Sequence, residues 1–214
     1  MFITFEGIEG SGKSTQIARL VPVLRKKGFA CVVTREPGAT RIGKKIRHIL
    51  LDSGHDVMVA TTELLLYQAD RAQHIHEVIE PALKADKVVI SDRFSDATTV
   101  YQGYARGLDL NWIERLNDMV VGGLKPDLTL ILDLPVELGL RRAWERIENQ
   151  AGALREDRFE KETLAFHEKV RQGYLALAGL EPERFRIIDA SGDPDPIHEN
   201  IVEVVTRVLH TEQS

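Results

Sequence analysis

Eight consecutive residues, Gly7-Ile8-Glu9-Gly10-Ser11-Gly12-Lys13-Ser14, have the form G-x-x-x-x-G-K-[ST], a spacing suited to holding a polyphosphate. Three glycines let the backbone curl so that successive N–H groups point inward at phosphate oxygens, and a helix starting near Lys13 adds the positive end of its dipole. Lys13 then reaches the β and γ phosphates, and the Ser14 hydroxyl can ligate Mg²⁺. Together with Thr15, which follows directly, these residues are the candidate ATP contacts. The plainer alternative is a glycine-rich turn that only packs tightly, but all eight positions fit and both flanks are right.

A second acid–base pair of residues stands far along the chain. Asp92 closes the apolar run Lys87-Val88-Val89-Ile90-Ser91 and is followed at once by Arg93. An acid in that place fits a holder of Mg²⁺, directly or through water. Arg35 likewise follows an apolar run, and the end of a parallel strand is where ligands collect in open sheets. The arginines therefore point to a discrete polyphosphate site.

The elements that must position these residues alternate regularly. Phe2-Ile3-Thr4-Phe5 reads as a strand, and Ile17, Leu20, Val21 and Leu24 give a helix that stops at Gly28, with Pro22 inside it. Strands are expected at residues 30–34, 87–92, 127–132 and 185–188. Between them come a helix carrying Ile42, Ile46, Ile49 and Leu50, and a long helix from about Thr61 with a kink at Pro81. A helical stretch through Tyr101 should end in a turn at Gly103 and Gly107, followed by a helix from Asn111 to Val121. A helix begins at Pro135. Another carries Phe159, Phe166, Val170, Tyr174 and Leu177, and a last one turns Ile197, Ile201, Val204 and Val208 inward. This alternation predicts an α/β, doubly wound domain with a roughly five-stranded parallel sheet flanked by helices. Residues 1–214 are read as one domain, with an aperiodic lid segment at about 142–158.

Composition narrows the class. A formal net charge of −5 argues against a general nucleic-acid binder. No apolar stretch is long enough to span a membrane, and the chain opens directly on a strand without a leader. A single cysteine, Cys31, in an apolar run reads as a small core residue of a cytoplasmic protein without disulfides.

The four motifs Gly7-Ile8-Glu9-Gly10-Ser11-Gly12-Lys13-Ser14, Thr34-Arg35-Glu36-Pro37-Gly38, Asp92-Arg93-Phe94 and Tyr101-Gln102-Gly103, in this order, together resemble the thymidylate kinase family, over nearly the whole chain. The resemblance is to the bacterial type of this phosphate-binding-loop nucleoside-monophosphate kinase. It implies ATP- and Mg²⁺-dependent phosphorylation of dTMP to dTDP in dTTP biosynthesis, by a homodimer. It places Arg93 between donor and acceptor phosphates and Arg35 and Arg47 near the acceptor phosphate. Tyr67 matches an aromatic, usually Phe, that stacks on thymine; Arg71 would hydrogen-bond the base, Thr98 would touch its edge, and Glu9 would lie near the sugar 3′-hydroxyl. Tyr101 would exclude a 2′-hydroxyl, with Pro37 and Gln102 in the same acceptor site, and the Glu36–Pro37 bond would be cis. Departures are Ala97 where relatives often have Ser, and a longer segment between Arg146 and Asp157. One branch of the family carries an Arg after the loop acid, but Gly10 follows Glu9 here, so a transition-state arginine would come from the lid: Arg146 first, with Arg142 and Arg155 as alternates.

Plainer roles stay open for several of these. Tyr67 can be core filler beside Leu64 and Ile75. Arg71 can pair with Asp70 or Glu77 on a solvated helix face, Arg47 can be surface charge, and the lid arginines can pair with Glu145, Glu148 or Glu156. Two other functions compete: a kinase for another monophosphate such as dUMP or UMP, and a nucleotide-dependent switch that hydrolyses ATP when a protein partner binds.

Overall fold

The computed structural model of the chain describes residues 1–52, 54, 57–149 and 157–211. Five parallel strands form one sheet: β1 (Phe2–Glu6), β2 (Cys31–Arg35), β3 (Val88–Asp92), β4 (Leu128–Asp133) and β5 (Phe185–Asp189), in the spatial order β2-β3-β1-β4-β5. The central strands β1, β3 and β4 are almost wholly buried, as near-continuous apolar runs require when helices cover both faces. The strand order reverses beside β1, and the register Phe5↔Asp92 sets the end of β3 next to the start of the glycine-rich loop.

One core joins α1 (Lys13–Lys26) and α9 (Pro194–Thr211) to the sheet through Ile17, Leu20, Leu24, Ile201, Val205 and Leu209. In α9 it is Val205 and Leu209 that are fully buried, whereas Val204 and Val208 are half-buried against the same cluster. Pro22 is accommodated inside α1. Cys31, on the edge strand β2, is half-buried.

On the other face lie α2 (Arg41–Leu51), α3 (Ala60–His74), α4 (Glu80–Lys84), α5 (Ser95–Thr98), α6 (Leu110–Val121), α7 (Val136–Glu148) and α8 (Leu164–Leu180). Two π-helical turns interrupt this set. One, Ile75–Ile79, joins α3 to α4, so the irregularity expected at Pro81 precedes the proline, which sits at the start of α4 where its missing N–H costs nothing. The other, Thr99–Ala105, continues α5 through Gly103, where a turn was expected. A Cβ at Gly103 would lie 2.5 Å from Leu110 Cδ2, so this glycine serves close packing against α6. Phe159 precedes α8, in a turn, and reaches the core from there.

Candidate active site

The loop between β1 and α1 is shaped by contacts that only glycine permits. Gly10 has φ of 69°, and a Cβ there would meet the Gly139 carbonyl oxygen at 1.9 Å. A Cβ on Gly139 would in turn meet the Glu9 carbonyl oxygen at 2.7 Å. Loop and α7 therefore touch backbone to backbone. Lys13 folds over the loop, donating to the carbonyls of Gly7 (3.0 Å) and Ile8 (2.9 Å) and to Ser11 Oγ (3.1 Å). Burial, with Arg93 adding, pushes its ammonium down to about 8. A phosphate arriving beside it would act in the opposite direction and favour the charged form.

At the end of β3, Asp92 Oδ2 accepts a hydrogen bond from Ser14 Oγ at 2.8 Å. A hydroxyl and a carboxylate that close, beside a phosphate-binding loop, are groups that would hold Mg²⁺, directly or through water. No cluster of three or more His, Cys, Asp or Glu with metal-binding geometry occurs among the described residues.

Arg93 follows with φ of 75°, in a region that non-glycine residues seldom adopt, while its N–H donates to the Phe5 carbonyl. Its guanidinium lies 4.8 Å from the Tyr101 ring centroid and donates to Glu9 Oε1 (3.0 Å) and Tyr174 Oη (3.0 Å). Burial alone would push this group down, but Tyr101, Tyr174, Glu9 and Glu6 outweigh it, so it stays charged. For Glu9 burial acts upward, yet His167, Arg93 and Lys13 together hold the carboxyl well below the usual range. A carboxylate so firmly ionised is a poor proton acceptor.

These groups open onto a cavity of about 770 Å³. Glu9, Gly10, Ser11, Gly12, Lys13, Ser14 and Thr15 line it at one end. Arg35, Pro37, Arg47, Tyr67, Asp92, Arg93, Thr98, Tyr101, Gln102 and Arg146 line the rest. The structure thus brings together most of the residues singled out from sequence. The Glu36–Pro37 bond is cis. Arg47 donates to the Pro37 carbonyl (3.1 Å), and its side chain passes where a Cβ on Gly38 would stand. Tyr67, one turn beyond Glu63, faces the cavity, and its hydroxyl is pushed upward by burial and by Glu63.

Three residues stand elsewhere. Arg71 is fully buried behind the wall, where Nε donates to Glu36 Oε2 (2.8 Å) and Nη2 to Thr98 Oγ1 (2.8 Å) and the Phe94 carbonyl (3.1 Å). Its partner is Glu36, neither Asp70 nor Glu77, and it braces the wall that Thr98 presents. Arg142 donates to the carbonyls of Ala190, Ser191 and Gly192, between β5 and α9. Gly7 lies below the lining, with φ of 132° beneath the Leu132 carbonyl. Arg155 lies outside the described residues.

Other groups at the site were not among those singled out from sequence. Glu36 accepts from both Arg71 and His74. Glu63, buried, accepts from Gln102, Arg106 and Arg158 and ties the turn before α8 to α3. Glu160 lines the cavity and accepts from Arg146 (3.2 Å). Glu36 stood inside a quoted motif, and an acid at helical spacing before Tyr67 marked Glu63; nothing local marked His167 or Tyr174.

Comparison with known proteins agrees with this geometry. The family model described as thymidylate kinase matches residues 5–201. The chain is 55% identical over 208 residues to the thymidylate kinase of Desulfosudis oleivorans, covering 97% of each chain. It is 54% identical over 209 residues to that of Nitratidesulfovibrio vulgaris, covering 98% of this chain and 97% of the relative. The crystal structure of thymidylate kinase from Ehrlichia chaffeensis superposes with a TM-score of 0.75 at 33% identity, covering 96% of this chain and 98% of that one. A phosphate-binding loop facing a pocket walled by arginines, on a sheet matched nearly end to end by such relatives, places the chain in the thymidylate kinase family.

Proposed function

We propose that the chain transfers the γ-phosphoryl group of ATP to dTMP, giving ADP and dTDP. The observation that carries this is the cavity's composition: Lys13, Arg93, Arg35 and Arg47 all line it, together with a strongly ionised Glu9. An acceptor that is already an anion needs positioning and neutralisation, not a strong base. A nucleoside hydroxyl would need the base that Glu9 cannot be.

In this reading the loop amides and Lys13 hold the β and γ phosphates, and Arg35, Arg47 and Arg93 hold the acceptor phosphate. Ser14 and Asp92 would hold Mg²⁺, which when bound neutralises the phosphate oxygens and lines up the transfer. Tyr67 offers a face to the base while Thr98 and Gln102 offer polar edges, with Arg71 fixing Thr98 from behind. Tyr101 is held by its hydroxyl on Glu9 (2.6 Å), which leaves its ring as the rigid wall beside the sugar. The segment at about 142–158 is a lid, from which Arg146 already reaches the cavity.

Homodimer formation belongs to the same proposal. Ile42 and Ile49 on α2, Leu65 on α3, and Trp112 and Met119 on α6 are exposed apolar side chains on helices that pack against one another. No helix among the described residues is long and apolar enough to cross a membrane, and the half-buried free thiol of Cys31 suits a cytoplasmic enzyme. A coupled ADP-release assay with dTMP, dUMP, UMP, dCMP, AMP and thymidine tests the substrate. We expect dTMP to be turned over fastest and thymidine not at all; a preference for UMP or dUMP would overturn the assignment.

A further inference from the structure

Glu9 is a carboxylate inside a loop built to attract phosphate, and something must neutralise it without consuming the cations that phosphate needs. Its Oε1 accepts from Tyr101 Oη (2.6 Å) and Arg93 Nη2 (3.0 Å). Its Oε2 is buried and has no hydrogen-bond partner of good alignment among the described residues, but stands 3.2 Å from Nδ1 of His167. The contact does not meet hydrogen-bond geometry, and it is an ion pair only when the ring is protonated. His167, in the first turn of α8, is fully buried and does not line the cavity, so it approaches Glu9 from behind. Its Nε2 lies 3.0 Å from the Phe159 carbonyl oxygen.

Both ring nitrogens therefore face acceptors. A carbonyl can only accept, so Nε2 carries a hydrogen; a bare Nδ1 would set its lone pair against the Glu9 carboxylate, and a proton there turns that contact into an attraction. The other charged or titratable groups around Glu9 are Arg93, Lys13, Tyr101 and Glu160. Of the cations, Arg93 and Lys13 line the cavity, and His167 alone does not.

We propose that His167 is a positioning residue whose doubly protonated ring neutralises and orients Glu9 from outside the cavity, leaving Arg93 and Lys13 their charge for the phosphoryl groups. The same ring ties Glu9 to the main chain of Phe159, a cavity residue just beyond the lid segment, so loop and lid base are held in one register. This rests on the reading of Glu9, Arg93 and Tyr101 as the acceptor site.

Ring-nitrogen NMR of ¹⁵N-histidine-labelled enzyme without substrates tests the proton count, with the His167 signals assigned by their loss in His167→Gln. We expect two protonated ring nitrogens in the parent at pH 7.5, and in Glu9→Gln a neutral ring with Nδ1 bare. A mutant cycle on kcat/KM for dTMP tests the role. His167→Leu should lose roughly tenfold or more in the parent but less than about threefold in a Glu9→Gln background, and His167→Gln, which can still donate, should recover much of the loss. A neutral ring in the parent, or equal losses in both backgrounds as a purely packing role gives, would overturn the proposal. The NMR arm reads without turnover, so a wrong substrate assignment would leave it intact and show only in the monophosphate panel.

Discussion

Arg146 and Arg142 lie one helical turn apart on α7, yet their guanidinium groups do different work. Arg146 reaches the cavity and is held loosely by Glu160, at a half-exposed site where an ion pair is worth little and is easily exchanged for a phosphoryl oxygen. Arg142 spends its donors on three carbonyls between β5 and α9. Arg146→Ala should lower kcat by roughly a hundredfold with KM for ATP and dTMP nearly unchanged, as expected of a contact made mainly in the transition state. Arg142→Ala should leave kcat within a few-fold. Steady-state kinetics of the two variants check this, and a kcat loss larger in Arg142→Ala would reverse the assignment.

Asp70 shows how buried charge near the site links to pH. Its Oδ1 accepts from Gly38 N–H at 3.1 Å, Oδ2 has no partner among the described residues, and burial, with Glu36 adding, pushes the carboxyl up to about 6. The folded value lies above the unfolded one, so the folded state holds the extra proton between them and this group's contribution to stability falls as pH rises from about 4 to 6, by at most about 3 kcal/mol. Asp70→Asn keeps an acceptor for Gly38 and removes the titration. Urea unfolding at pH 4.5 and pH 7 should show the variant gaining on the parent at the higher pH; the same difference at both would contradict it.

Among elements, the join between the loop and α7 is the tightest. Helix α7 presents Gly139 to the Glu9 carbonyl, and any side chain there must push the loop or the helix aside. Gly139→Ala should cost about 1–3 kcal/mol of stability and raise KM for ATP more than KM for dTMP, because the displaced backbone is the phosphate cradle. Thermal unfolding and initial rates would show it, and unchanged ATP binding would mean that the contact is slack. The π-helical turn Thr99–Ala105 is the other element fitted to the site: it carries Tyr101 and Gln102 on one side while Gly103 packs on α6. Such turns recur at functional sites.

These elements also show what was legible beforehand. The strands and the glycine loop could be read because apolar runs and G-x-x-x-x-G-K-S are local signals with fixed periods. The π turns could not, since a one-residue insertion in a helix leaves no period, and the Gly103 turn was misplaced for that reason. Residues of the quoted motifs line one cavity. The buried supports were not legible: His167 reaches Glu9 across 158 residues of chain, and Glu63 gathers Gln102 and Arg106 from one segment and Arg158 from another. Contacts of that range follow from the sheet order, which no short window contains.

At the scale of the whole molecule, the apolar side chains left exposed on α2, α3 and α6 predict a second copy of the chain. Sedimentation velocity should give a dimer at micromolar concentration, and Leu65→Glu combined with Met119→Glu should shift it to monomer; a parent that sediments as a monomer would contradict this. The molecule as a whole sets a glycine loop and a group of arginines around one cavity. ³¹P NMR of the purified protein with ATP, Mg²⁺ and dTMP follows the phosphoryl group itself. Equal amounts of ADP and dTDP should appear while the γ signal disappears. Inorganic phosphate formed without dTDP would contradict the account and mark the chain as an ATP hydrolase.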